Sequence, residues 1–148
     1  MTTASLQRIR VSFALLASRM TEMTERFHAR LFEVRPDLRH MFNVDMRHHG
    51  RHFAAALALI VRNASMLDSL DEPLRELGLQ HARAGVHAEH YPVVRDAVLF
   101  AMAQTLAEEW TQNLAEEWQM LLDHVSTLML SAATGDAADC GCQNKEMQ

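Results

Sequence analysis

The chain has 148 residues, 49% of them hydrophobic, which is enough for one domain with a sizeable core. Ala, Leu and Met are abundant, aromatics make up only 6%, and five Gly and three Pro interrupt the chain, a balance that favours helices over strands. A formal net charge of -5 without a long run of Lys and Arg gives no electrostatic reason to approach nucleic acid. No apolar stretch reaches the roughly 18 residues of a membrane span, and the N-terminus lacks the order of a signal peptide, so the expected compartment is the cytoplasm.

From Leu6 to Val34 there is no Gly or Pro, and Ile9, Phe13, Leu16 and Met20 recur on one helical face. Phe27, Leu31 and Val34 repeat the pattern. The length predicts two helices meeting between Ala17 and Thr24, with Ser18, Thr21 and Thr24 as candidate capping hydroxyls. Pro36 stops the second, because the residue before proline is pushed out of the helical region, and a short turn through Leu38 and Phe42 follows.

Asn43 to Gly50 reads as a polar connection, after which Phe53, Ala56, Leu57, Ile60 and Ala64 form the stripe of a third helix. Asp71, Glu72 and Pro73 open a shorter helix that ends near Gly85. His90, Tyr91 and Pro92 open another, carrying Val94, Ala97, Val98 and Ala101. The last helix carries Leu114, Trp118, Leu121, Leu122, Val125, Leu128 and Met129. Residues 1–133 thus form the expected all-α domain, and 134–148 a mobile polar tail that holds Cys140 and Cys142 as a CxC pair. Neither cysteine can staple the body of the fold; soft-metal capture and thiol redox chemistry are open to the pair, although exposed thiols without an electropositive neighbourhood usually carry neither.

Nine histidines are the residues with the most chemistry to offer: His28, His40, His48, His49, His52, His81, His87, His90 and His124. No HExxH pair, Cys-x-x-Cys, Walker loop or Gly-rich dinucleotide turn accompanies them, which removes the usual support for structural zinc or nucleotide binding. His52 shares a face with Ala56 one turn on, so its ring has room beside it. His81 follows Leu77 by one turn and precedes the apolar Val86 just past Gly85. Two such imidazoles on facing helices can bracket a flat ligand.

The stretch HARAGVHAEHYPVVRDAVLFAM, from His81 to Met102, resembles the proximal segment of bacterial single-domain haemoglobins and of flavohaemoglobin globin domains. RFHARLFEVRPDLRHMF, from Arg26 to Phe42, resembles their second helix and the corner after it. With the helix around Trp118, the similarity covers most of residues 5 to 131. The resemblance implies a globin fold of six to eight helices around haem b (iron protoporphyrin IX), with His81 as proximal iron ligand and Tyr91 hydrogen-bonded to its other nitrogen. It implies Phe42 against the haem face, Val86 beside the cofactor, His52 at the distal position and Ala56 one turn later, with His49 as an alternative to His52 if the loop before it slips in register.

Three departures from the family pattern carry consequences. His28 stands where the second helix usually offers a ligand-stabilising tyrosine, and an imidazole there donates or accepts according to its tautomer. The glutamate of the proximal hydrogen-bond network has no counterpart, since the aligned region reads Ser131, Ala132 and Ala133. The chain stops at Gln148 without a flavin or nicotinamide domain. The implied function is binding of oxygen, nitric oxide or carbon monoxide opposite His81. Oxygen delivery and nitric oxide dioxygenation, the latter with a separate reductase to restore ferrous iron, are both open. The alternative is a six-coordinate bis-histidine haem in which His52 is a second iron ligand, suited to electron transfer or sensing.

Overall fold

The computed structural model describes the backbone of residues 1–42 and 45–147, and within it the side chains as far as Ser131. Six α-helices and three short 3-10 turns, with no strand among the described residues, follow in the order α1 (Thr3–Ala17), α2 (Met20–Val34), a turn at Pro36–Met41, α3 (Met46–Arg62), a turn at Leu67–Leu70, α4 (Asp71–Arg83), α5 (His90–Leu106), a turn at Ala107–Glu109, and α6 (Gln112–Met147). None of these helices is long and apolar enough to cross a membrane.

Thr2 caps α1, its Oγ1 accepting from the Ser5 N–H at 3.0 Å. The break before α2 falls where the sequence places it, but no hydroxyl caps the second helix. Ser18 Oγ instead donates back to the Leu15 carbonyl and Thr24 Oγ1 to that of Thr21. Arg19 secures the break by donating to the Thr105 carbonyl at 2.6 Å, in the last turn of α5, where the free carbonyls favour a cation.

The stripe on α1 and α2 meets the core as expected, with Ile9, Leu16, Phe27 and Leu31 almost fully buried; Val34 is the exception and is exposed. Helix α3 begins earlier than its apolar pattern. Met46 to Gly50 is helical rather than loop, which puts His48, His49 and His52 on one element. The apolar periodicity fades after Met129 in α6, yet the helix runs on to Met147. The cysteine pair, Cys140 and Cys142, lies outside the described side chains.

Close contacts at two helix pairs hold the frame. Trp118 is fully buried, its indole N–H donating at 2.9 Å to Ser12 Oγ, which donates at 2.8 Å to the Ile9 carbonyl, so α6 is keyed into α1. Arg8 pairs with both oxygens of Glu117 one position away. Farther along α6, Gly78 of α4 lies directly on the Met129 backbone; a Cβ at Gly78 would stand 2.4 Å from the Met129 carbonyl oxygen. Any side chain there would wedge the two helices apart.

Candidate functional site

Between α2, α3, α4, α5 and α6 the packing leaves a cavity of about 470 Å³. Its walls are mostly apolar: Phe27 and Leu31 from α2, Leu57 and Ile60 from α3, Val94 and Val98 from α5, Val125 and Met129 from α6. Polar groups enter mainly as imidazoles from opposite sides. A roomy apolar cavity with a few aimed polar groups is the usual form of a small-molecule or cofactor site.

On one side His81 projects from the last turn of α4. Gly85 at φ +92° ends the helix there, and the Val86 N–H donates back to the His81 carbonyl at 2.9 Å. The chain then turns into α5, whose second residue is Tyr91. Its hydroxyl lies 3.3 Å from His81 Nδ1. That contact engages one ring nitrogen and leaves Nε2 for the cavity. Burial pushes the His81 pKa below its ordinary value, so the ring is neutral and keeps a lone pair. The pairing that the resemblance implies for His81 and Tyr91 is therefore present. Val86 and Phe42 also line the cavity.

The opposite side differs in detail from the sequence reading. Ala56 faces the cavity, and so do His48, His49 and His52. His52 is solvent-exposed, its ring centroid 4.3 Å from that of His48. His28 is buried but does not line the cavity; its Nε2 lies 2.9 Å from Nδ1 of His49, which does. The structure thus brings His28 together with His49 and leaves His52 near the rim. Burial lowers the pKa of His28, and burial together with the neighbouring imidazoles lowers that of His49 to about 4. Both rings are neutral at pH 7.

The crossing of α2 and α3 explains the pair. A Cβ at Gly50 would be 3.2 Å from Thr24 Oγ1, so glycine lets the helices approach one turn from His28 and one residue from His49. Gly50 beside a run of histidines was the available signal for this contact, but the loop assignment of Asn43 to Gly50 hid it. His90 was likewise not singled out. It is buried at the cavity wall, but its Nδ1 accepts the His87 backbone N–H at 2.9 Å and so serves the entry to α5.

Helix order, the interior cavity and the imidazole opposite α3 define an all-α domain of globin architecture. The globin family model matches residues 25–129, and the chain belongs to that family of haem-binding proteins. Among its relatives, the flavohaemoprotein of Vibrio cholerae is 26% identical over 133 residues, covering 82% of this chain and 34% of the relative. That of Bacillus thuringiensis is 28% identical over 103 residues, covering 68% and 26%. The chain thus spans about a third or less of these relatives. A structure of an engineered carbene transferase from Rhodothermus marinus is 26% identical with a TM-score of 0.86, covering 95% of this chain and 99% of that one. A bacterial globin from Campylobacter jejuni, at 19% identity and TM-score 0.82 over 93% of this chain and 99% of its own, shares the fold.

The residues fit a haem. His81 presents a neutral nitrogen held by a partner on its other side, the walls are apolar, and no competing cluster of three metal-ligating side chains occurs among the described residues.

Proposed function

We propose that this globin holds haem b through His81 and binds a diatomic gas, oxygen or nitric oxide, on the side of α3. The observation that carries the reading is the His81 ring, with Nδ1 engaged by Tyr91 and Nε2 left for an apolar cavity. When bound, haem supplies an iron that takes a small ligand and exchanges electrons.

The chain's own residues do the rest. If Nε2 coordinates, Nδ1 carries the proton and donates it to the Tyr91 oxygen, which fixes the plane of the ring and raises its basicity. The apolar walls exclude water, so a polar group on the opposite side acts with little screening. The described part of α6 supplies no carboxylate to this network: Ser126 and Met129 line the cavity instead, and the region expected to match the family's glutamate, Ser131 to Ala133, opens with the exposed Ser131. We therefore place ligand binding ahead of peroxidase-like chemistry. The Rhodothermus marinus neighbour bears the name of a nitric oxide dioxygenase, and the flavohaemoprotein relatives extend well beyond the matched segment. Turnover of nitric oxide to nitrate by this domain would need electrons from a reductase.

Reconstitution with haemin tests the reading. The wild type should give a stoichiometric complex with a sharpened, shifted Soret band. His81→Ala should lose that band or bind haem at least tenfold more weakly. Equal spectra and equal haem affinity in the two proteins would refute it.

A further inference from the structure

The cavity's α3 side holds a pair of histidines in series, and their order decides what meets a ligand. His28 is 7% exposed and does not reach the cavity, whereas His49 does. Nδ1 of His49 is turned 2.9 Å toward His28 Nε2, so the other nitrogen of the His49 ring, on the far side of the imidazole, is the one left for the cavity. Phe42 meets the His49 ring edge to face at 4.6 Å between centroids and limits its rotation.

Two neutral rings sharing one hydrogen bond have two tautomeric arrangements. In the first, His28 Nε2–H donates to His49 Nδ1, and His49 carries its own proton on Nε2. In the second, His49 Nδ1–H donates to His28 Nε2, and His49 offers a lone pair to the cavity. The second puts both rings in the Nδ1–H form. The first puts both rings in the Nε2–H form, the lower-energy tautomer of a histidine side chain in water, and so is the favoured arrangement of the pair.

We propose that His28 Nε2–H donates to His49 Nδ1 and thereby fixes His49 Nε2–H as the hydrogen-bond donor to the bound gas, so that His49, rather than His52, is the distal contact and His28 a positioning residue behind it. The inference rests on the haem reading above. It accounts for a histidine on α2 at the tyrosine position of the family: the imidazole acts through a second imidazole instead of touching the ligand. The lowered pKa values of both rings agree with it, since a protonated His49 could not accept at Nδ1.

The test uses the haem-reconstituted protein with carbon monoxide and oxygen as probes. A donor beside bound carbon monoxide lowers the C–O stretching frequency. His49→Leu and His28→Phe should raise it to the same value, the double variant no further, and His28→Gln, whose amide can donate to Nδ1, should restore most of the shift. Oxygen should leave about fivefold faster from the two single variants, the factor for one lost hydrogen bond. A shift in His52→Leu with none in His49→Leu, or a His28→Phe protein that keeps the wild-type frequency, overturns the proposal. Ring ¹⁵N spectra of the haem-free protein provide an arm that does not depend on cofactor. An unprotonated His49 Nδ1 coupled to the His28 Nε2 proton supports the relay, and a protonated Nδ1 refutes it. Failure to take up haem would instead sink the functional reading while leaving this arm decisive for the hydrogen bond.

Discussion

Replacing Gly78 with alanine tests how α4, and with it His81, is seated. On an exposed helix the change is favourable by about 1 kcal/mol, because alanine loses less backbone entropy. Here the new Cβ would lie 2.4 Å from the Met129 carbonyl oxygen, against 3.4 Å for the start of ordinary contact, so the helices must part by about 1 Å. The obstacle is backbone and cannot rotate away, which places the overpacking cost near the upper end of its range, about 3 kcal/mol. The net destabilisation is then about 2 kcal/mol, or a Tm lower by about 6 °C for a chain of this size. Position 81 lies three residues on, on the same side of α4, so the displacement also carries the His81 ring and should weaken haem retention. Thermal and urea unfolding of Gly78→Ala, with and without haem, measures both effects. Gly85→Ala provides contrast: it has open space but φ +92°, so its penalty is conformational and Gly85→Asn should recover part of it. A Gly78→Ala protein as stable as wild type or more so would refute the account of α4 seating.

Ser12→Ala should leave the buried Trp118 indole N–H without an acceptor and cost about 1–3 kcal/mol; urea unfolding with an unchanged midpoint would contradict the role given to that bond. Stability of the haem-free protein should fall as pH drops. His28, His49 and His81 have folded pKa values below their ordinary 6.5, so below that pH the unfolded chain binds protons that the fold excludes. The loss begins near pH 6.5, and the contribution of His49 levels off below about 4. Urea midpoints across that window check it. His28→Phe with His49→Leu should flatten the profile, and a slope unaffected by the double change would count against buried neutral rings.

Helix content, the break between α1 and α2, the stop at Pro36 and the starts of α4 and α5 were all legible in the chain, because apolar spacing and the backbone limits of proline act over a few residues. The proximal side was legible too. His81 and Tyr91 are joined by one short turn, so local chain geometry nearly suffices to bring them together. The opposite side was not. Residues 28 and 49 belong to different helices, and their contact depends on where α2 crosses α3, which Gly50 and Thr24 settle only in three dimensions. Counting without gaps along the family resemblance favoured His52, with His49 as the alternative, and both line the cavity; the contact of His49 with His28 was out of reach, since periodicity says which residues share a face but not how that face is rotated against its neighbour. What the amino-acid order alone determined is an all-helical chain with a histidine poised beside a tyrosine. Which imidazole of α3 meets the ring of His28 on α2 was decided by packing, because a helix crossing is an agreement among side chains far apart in sequence.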